Sequence, residues 1–262
     1  MSTDASSGPV PRVHVSTAEG IAQVVLDSPP LNILTQALLA ELRAALAPLA
    51  ADPTLRVLVL AAKGKHFSAG ADVAEHLPPA FAAMIPEFVA TIEALRAFPV
   101  PVVAAVRGRC LGGGFELVQA ADLIVAGEGA SFGQPEILLG VIAPVACALL
   151  PELCGPARAA EILYTGDTIT AAQAQAMGLV VRVVADARVD EEALALAGRI
   201  AQHSAAALRV AKRAVRAGSE GRVTEALRSA GRLYVEDLMR TADAREGLTA
   251  FLEKRPAAWA HR

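Results

Sequence analysis

Two hydrophobic periods alternate along the first 190 residues of the chain. Runs dominated by Val, Leu, Ile and Ala predict β-strands at 12–17, 21–26, 55–62, 100–106 and 122–126. Between them, apolar residues at helical spacing predict helices at 35–49, 87–97 and 115–121. The first two strands are joined at Glu19-Gly20, which indicates a hairpin. Because strands and helices then take turns, the sequence predicts an α/β fold with a mainly parallel sheet.

The pattern changes after Glu191, where only helical periodicity remains. Four helices with an apolar and a charged face are predicted, at 191–203, 205–217, 223–239 and 242–254. Their apolar faces either cover the α/β core or pack on other subunits. We expect them to pack on other subunits, because the sequence after Glu191 predicts no further strands for these helices to cover. The predicted domains are a mobile tail at 1–10, an α/β core at 11–190 and a helical oligomerisation region at 191–262.

Composition narrows the classes of function. The net charge is −3 and no long basic block is present, which argues against nucleic-acid binding. No apolar run approaches the ~18 residues that a membrane span needs, so we expect no membrane partner. Residues 1–10 lack the basic start and apolar centre of a signal peptide. These observations predict a cytoplasmic protein.

The cysteines and histidines show no metal-binding spacing. Cys110, Cys147 and Cys154 are odd in number and form no C-x-x-C pair, which fits a reducing compartment without a disulfide framework. We interpret all three as buried packing residues, although a catalytic thiol remains an alternative. We therefore expect no metal site.

Three consecutive glycines, Gly112 to Gly114, separate the predicted strand at 100–106 from the helix at 115–121. Glycine allows close backbone approach, and a helix N-terminus offers unpaired N–H groups. The carboxylate of Glu116 follows one turn into this helix. An N–H donor for a developing oxyanion beside an acid or base is suited to enolate chemistry. The alternative is a helix start packed closely on the sheet, with Glu116 on a solvated turn.

Two further segments are candidates for the same site. The segment Ala69 to Asp72 also follows a buried strand, so it should reach the same sheet edge and supply a second N–H donor. Its alternative is an ordinary turn in which Asp72 caps a helix. Glu136 precedes the apolar run 137–142, where an apolar pocket would raise the pKa of its carboxyl. Its alternative is an exposed loop glutamate.

Four motifs together carry a family resemblance. F-S-A-G-A-D stands at 67–72, G-G-G-F-E-L at 112–117, S-F-G-Q-P-E-I-L-L-G at 131–140 and E-G-L-T-A-F-L-E-K-R at 246–255. This combination resembles the enoyl-CoA hydratase/isomerase (crotonase) family over residues 13–255. The resemblance implies an α/β crotonase-like spiral of repeated ββα units. It also implies an α-helical C-terminal region that assembles a homotrimer, often paired into a hexamer.

The resemblance further implies roles for individual residues. Ala71 and Gly113 match the two N–H donors of the family's oxyanion hole. Glu116 and Glu136, twenty residues apart, match the catalytic pair of the hydratases. The remaining residues expected to contact the substrate or its CoA are Ala69, Gly70, Asp72, Gly112, Phe251 and Lys254. The last two match positions at which a neighbouring subunit meets CoA. The substrate is then an acyl-CoA thioester, and no separate cofactor is expected.

Two glutamates favour water addition across a conjugated enoyl or dienoyl thioester. The resemblance assigns the base to Glu116 and the acid to Glu136, an order that the sequence alone leaves open. One alternative is a double-bond isomerase that uses Glu136 alone. An alternative of another class is a non-catalytic acyl-CoA-binding assembly protein.

One segment departs from the pattern of short-chain hydratases. Where they have a glycine-rich turn, this chain has Pro144 within an apolar stretch, so a backbone donor is expected to be missing. Together with His76-Leu77-Pro78-Pro79, the stretch is similar to hydratases of cyclic dienoyl-CoA thioesters. We therefore expect cyclohexa-1,5-diene-1-carbonyl-CoA to be the substrate in place of crotonyl-CoA.

Overall fold

The computed structural model describes residues 12–262. The predicted tail at 1–10 lies outside the described residues. The strands are β1 (Val13–Ala18), β2 (Ile21–Leu26), β3 (Val57–Ala62), β4 (Val102–Val106), β5 (Arg109–Leu111), β6 (Leu123–Gly127), β7 (Ser131–Gly133), β8 (Thr168–Thr170) and β9 (Arg182–Val184). The α-helices are α1 (Gln36–Ala51), α2 (Phe81–Arg96), α3 (Gly113–Gln119), α4 (Pro144–Cys154), α5 (Pro156–Thr165), α6 (Ala171–Ala176), α7 (Val189–Ala201), α8 (Ala205–Ala217), α9 (Glu220–Arg232) and α10 (Ala242–Leu252).

Six strands form the main sheet in the order β1-β2-β3-β4-β6-β9. β1 and β2 make the predicted antiparallel hairpin, and every later pair of neighbours is parallel. All five residues of β4 are buried, as in a strand that is covered on both faces. The prediction of an α/β fold with a mainly parallel sheet is confirmed.

A smaller sheet has the order β5-β7-β8. β5 follows β4 and β7 follows β6, so two strands precede a helical segment each time, as the expected ββα repeat requires. The sequence did not predict β5, β7 or β8, because a strand of three residues is too short to show a period of two. The parallel pairing of β5 with β7 holds the two repeats together.

Helix α7 covers one face of the main sheet within the same chain. Its inward positions, Val189, Ala193, Ala197 and Ala201, pack in one buried cluster with valines and an alanine of β3, β4 and β6. Three of these four residues are alanine, so the helix approaches the strands closely. The expectation that no sheet was left for the C-terminal helices to cover is therefore wrong for α7.

Helices α2, α4, α5 and α6 differ from the prediction, which had no helix at the last three. Helix α2 begins at Phe81 instead of residue 87 and contains Pro86, whose missing N–H removes one intrahelical hydrogen bond. Helix α4 was not predicted, since its residues are apolar on nearly every face and show no amphipathic period. Pro144 is its first residue, a position whose N–H has no intrahelical partner in any helix.

The C-terminal helices otherwise follow the sequence pattern. The predicted helix at 223–239 is α9 followed by a π turn, Leu233–Asp237, and a 3-10 turn, Leu238–Arg240. Helix α9 packs against α4 and α2. Among residues 12–262, none of the helices has the length and apolar character to cross a lipid bilayer.

Candidate active site

A cavity of about 480 Å³ lies where the segment after β3 meets the start of α3. It brings together both predicted glutamates and most of the other predicted site residues. Those that line it are Ala69, Gly70, Ala71, Gly112, Gly113, Glu116, Glu136 and Phe251. The rest of the wall is largely apolar, with Met84, Ile85, Phe88, Val141, Ile142 and Leu248 among its residues.

Two backbone amides adjoin in this cavity. A Cβ built on Gly113 would lie 3.2 Å from the Ala71 nitrogen, so the amides of Ala71 and Gly113 are close neighbours. Neither amide donates a hydrogen bond to another described residue. Ser68 fixes the first segment, since its Oγ donates to the Asn32 carbonyl at 2.8 Å and accepts the Gly70 N–H at 3.1 Å. Two N–H donors are thus held open beside each other.

Glu116 lies one turn into α3 and is 3% exposed. Its Oε1 accepts the N–H groups of Val145 at 2.8 Å and Ala146 at 3.0 Å, both in the first turn of α4. Burial raises the pKa of the Glu116 carboxyl to about 7, and the two N–H groups partly oppose this rise. The alternative of a solvated surface glutamate is wrong.

The expected loss of a donor at Pro144 is offset by its neighbours. Pro144 has no N–H, but Val145 and Ala146 follow it at the N-terminus of α4 and both donate to Glu116. An unpaired helix N-terminus stabilises a carboxylate by its N–H groups and by its partial positive charge. The segment therefore supplies two backbone donors despite the proline.

Glu136 belongs to a 3-10 turn, Pro135–Leu139, at the cavity wall. Its Oε2 is buried and has no hydrogen-bond partner among the described residues. Its Oε1 would lie 2.6 Å from a Cβ built on Gly112, whose φ is +52°. Glycine at 112 therefore provides both the backbone conformation and the space for the carboxylate. The alternative of an exposed loop carboxylate is wrong.

The two carboxyl groups differ in their surroundings. Burial, and then the negative charge of Glu116, raises the pKa of Glu136 well above its ordinary value. Glu116 alone receives two backbone N–H groups that favour its ionised form. The surroundings therefore favour the protonated form more strongly at Glu136 than at Glu116. Both carboxyl groups line the same cavity as Ala71 and Gly113.

Two predicted contacts lie outside the cavity lining. Asp72 accepts the N–H of Ala74 at 2.9 Å and caps a 3-10 turn, Val73–His76, which is the alternative considered for it. Lys254 is exposed and has a positive φ of 54° just beyond the end of α10. Phe251 is 52% exposed at the rim, so it is accessible from outside the chain.

Neither His76 nor Tyr234 was predicted as a site residue, although the segment that begins at His76 contributed to the resemblance to hydratases of cyclic dienoyl-CoA thioesters. The ring of His76 lines the cavity and lies 6.1 Å, between centroids, from the ring of Tyr234. The Tyr234 hydroxyl is buried without a partner in the described chain, and burial followed by the charge of Glu136 raises its pKa. Tyr234 lies in the π turn, far along the chain from either glutamate, so no local spacing indicated it.

The charges of both glutamates act on the thiol of Cys147. Burial, and then the charges of Glu116 and Glu136, raises the pKa of Cys147 to about 11, so its thiol stays protonated. Across residues 12–262, no three His, Cys, Asp or Glu side chains converge as metal ligands would.

The chain is similar to known proteins along nearly its whole length. The family described as enoyl-CoA hydratase/isomerase matches residues 16–262. Cyclohexa-1,5-dienecarbonyl-CoA hydratase of Thauera aromatica is 42% identical over 254 residues, which are 96% of this chain and 97% of that protein. 2,3-Dehydroadipyl-CoA hydratase of Escherichia coli K12 is 37% identical over 244 residues, which are 92% of this chain and 95% of that protein.

A solved structure shows the same fold. The crystal structure of an enoyl-CoA hydratase from Mycobacterium avium subsp. paratuberculosis K-10 superposes with a TM-score of 0.86 at 28% identity. The match covers 96% of this chain and all of that chain. Family, relatives and fold agree along nearly the whole sequence. The chain therefore belongs to the enoyl-CoA hydratase/isomerase family and is a hydratase-type enzyme.

Proposed function

We propose that this enzyme adds water to the conjugated double bond of an enoyl- or dienoyl-CoA thioester. The observation that carries the proposal is the unequal glutamate pair. Two N–H groups favour the carboxylate form of Glu116, while the Oε2 of Glu136 is buried and has no hydrogen-bond partner among the described residues. Water addition needs one group that takes a proton and one that delivers a proton, and this cavity contains both.

The two open amides receive the thioester oxygen. Attack of water at the β carbon moves electron pairs onto that oxygen, and the N–H groups of Ala71 and Gly113 stabilise the resulting enolate as an oxyanion hole. Loss of one such donor typically costs ~10²–10³ in rate. Their closeness supports this role, since a Cβ on Gly113 would lie 3.2 Å from the Ala71 nitrogen.

Proton transfer then completes the addition. The Glu116 carboxylate takes a proton from the attacking water, and the Glu136 carboxyl delivers its proton to the α carbon. Each transfer typically contributes roughly 10²–10⁴ to the rate. The chemistry calls for no cofactor, because coenzyme A is part of the substrate.

The proposed acyl group is a cyclic diene, as in cyclohexa-1,5-diene-1-carbonyl-CoA. Met84, Ile85, Phe88, Val141 and Ile142 give the cavity apolar walls, which favour an apolar acyl group. A ring loses less conformational entropy on binding than a flexible chain. Each Å² of apolar surface that it buries contributes about 25 cal/mol to the free energy of binding. The relative from Thauera aromatica bears the name of a hydratase for this thioester.

The proposed assembly is a homotrimer, with a hexamer as its paired form. Several apolar side chains of the C-terminal helices remain exposed in the single chain. They are Val210, Val215, Leu233, Phe251 and Leu252. Contact with other subunits would bury this area and bring Phe251 to a site shared between subunits.

One experiment separates the candidate functions. The purified enzyme is incubated in heavy-oxygen water with crotonyl-CoA and with cyclohexa-1,5-diene-1-carbonyl-CoA, and the products are analysed by mass. A hydratase incorporates the label into the product. An isomerase rearranges the double bond without label, and an assembly protein leaves both thioesters unchanged, so either result contradicts the proposal.

A further inference from the structure

A second cavity, of about 550 Å³, opens at the end of the main sheet opposite to the glutamate pair. Asp122 stands directly before β6 and accepts the N–H of Val102, the first residue of β4, at 2.8 Å. The cavity therefore lies by the amino ends of these strands, whereas the active-site loops follow the carboxyl ends. We call it the cationic cleft, and its charged lining residues are Arg96, Arg209, Lys212, Arg213, Arg216 and Glu220.

Helix α8 turns a cationic face towards this cleft. Arg209, Lys212, Arg213 and Arg216 recur at i, i+3, i+4 and i+7, a spacing at which a helix that faces a core normally carries apolar residues. The buried residue of α8 is Lys212. Burying positive charge is unfavourable unless anions or hydrogen-bond acceptors compensate it.

Two carboxylates compensate part of the charge. Asp122 pairs with Lys212 at 2.7 Å and with Arg216 at 2.5 Å, and Glu220 pairs with Arg96 at 3.0 Å. Five cations face these two carboxylates, which leaves an excess of three positive charges. Burial lowers the pKa of Lys212 to about 8 despite its pairing with Asp122, and Arg216 adds to the lowering.

Several guanidinium N–H groups of the cationic cleft make no hydrogen bond with the described residues. Arg96 is buried, with 7% of its surface exposed, and its Nε has no hydrogen-bond partner in the described chain. Arg209 gives one N–H to the Asp52 carbonyl at 2.5 Å, which leaves its other donors available. Arg213 makes no ion pair with any residue of 12–262. Planar guanidinium groups match the oxygens of phosphate with paired hydrogen bonds.

From this arrangement we propose that the cationic cleft binds a phosphate-bearing small molecule, held by Arg96, Arg209 and Arg213. Lys212 and Arg216 contribute positive charge while they remain paired with Asp122. Ala97, Phe98, Pro99 and Ala217 complete the wall and leave an apolar side for the rest of the ligand. The site is separate from the glutamate pair and does not depend on the proposed reaction.

The test is calorimetric titration of the full-length enzyme with sodium pyrophosphate at ~0.1 M salt. We expect a Kd below ~1 mM for the wild type. The single variant Arg213→Gln should weaken pyrophosphate binding, because phosphate contacts are lost. The double variant, which adds Arg209→Gln, should weaken it by at least ~10-fold. Circular dichroism and thermal melting establish that each variant is folded. Arg213→Gln keeps the test informative, since it breaks no ion pair of the described chain.

Two matched variants show whether a weaker affinity is specific to the cationic cleft. Arg199→Gln makes the same charge change at an exposed position of α7 and should leave pyrophosphate binding unchanged. Arg109→Gln, at the wall of the active-site cavity, should also leave it unchanged. Equal weakening in either variant would overturn the proposal, as would the absence of binding in the wild type. Loss of oligomer mass in the double variant without any pyrophosphate binding would assign the cleft to a subunit contact instead.

Discussion

The Glu136 carboxylate occupies the space in which a side chain on residue 112 would begin. A Cβ built on Gly112 would lie 2.6 Å from the Glu136 Oε1, a distance that real Cβ atoms do not show. Gly112 also has a φ of +52°, where side chains are strained. The glycine run thus does more than expose amides, because Gly112 leaves the space that the Glu136 carboxyl occupies.

Replacement of that glycine tests this relationship. We predict that Gly112→Ala lowers kcat/KM by at least ~10²-fold, because the methyl group displaces the carboxyl that delivers the proton. Steady-state rates with the best substrate measure the effect. The matched control is Gly198→Ala in α7, where no atom lies within 4 Å of the added Cβ. It should keep its rate and gain roughly 0.5–1 kcal/mol of stability. Normal activity in Gly112→Ala would contradict the placement of Glu136.

The glutamates themselves give the second prediction. Glu116→Gln and Glu136→Gln should both fold, and each should lower turnover by at least ~10²-fold, since an amide neither accepts nor delivers the proton. Melting temperatures verify folding, and kcat is measured with saturating thioester. If both variants retain near-normal turnover, the mechanism is wrong. If only Glu136→Gln loses activity, a double-bond isomerase fits better.

The pH dependence gives the third prediction. The pKa of the Glu116 carboxyl is about 7 in the folded protein, so kcat/KM should rise with pH through an apparent pKa near that value. The reason is that Glu116 accepts a proton from water only when it is ionised. A profile of kcat/KM from about pH 5 to pH 9 measures it. A flat profile across this window would rule Glu116 out as the base.

The same group affects stability in the opposite direction. Its folded pKa lies above the ordinary value of 4.5, so the folded protein retains a proton that the unfolded chain releases. The contribution of Glu116 to the free energy of unfolding is therefore fully present below about pH 4.5. It is lost as the pH rises through about 7. Urea unfolding at pH 5 and pH 8 should show a larger loss of stability in the wild type than in Glu116→Gln.

Substrate preference is the fourth prediction. We expect a higher kcat/KM for cyclohexa-1,5-diene-1-carbonyl-CoA than for crotonyl-CoA, because Val141 and Ile142 line the cavity with apolar bulk beside Glu136. Both rates are measured on one purified batch, and the products are identified by mass and retention. A ten-fold or greater advantage for crotonyl-CoA would refute the cyclic substrate and leave the hydratase proposal standing.

Assembly is the fifth prediction. Light scattering at micromolar concentration should give the mass of a trimer or hexamer, and a monomer would refute the proposed assembly.

Lys254→Gln should weaken binding of CoA in a salt-dependent manner, because an exposed lysine acts on a phosphate mainly through its charge. Arg240→Gln, which removes one exposed positive charge elsewhere in the C-terminal region, serves as the control.

The sequence predicted the parts of the molecule that have a long or unusual local signal. The buried strands and the glycine run are of this kind, and Glu116 and Glu136 became recognisable through the motifs around them. A strand of three residues, such as β5, is too short to show a period of two. Helix α4 is apolar on nearly every face, so its sequence shows no amphipathic period. The sequence around Asp72 was compatible with a helix cap and with a binding residue. In the structure its side chain accepts the Ala74 N–H and therefore acts as a cap. Tyr234 lies beside His76 only through the tertiary fold.

The hydrogen bonds from α4 to Glu116 separate two properties of the enzyme, the position of this carboxyl and the shape of the cavity wall. The donors are main-chain N–H groups of Val145 and Ala146, which any residue except proline supplies. The side chains of Val141, Ile142 and Pro144, which precede these donors, line the cavity. Substitutions among them can change the cavity wall while the N–H groups that hold the Glu116 carboxyl stay in place. Specificity can thus diversify within this lineage without rebuilding its acid–base chemistry.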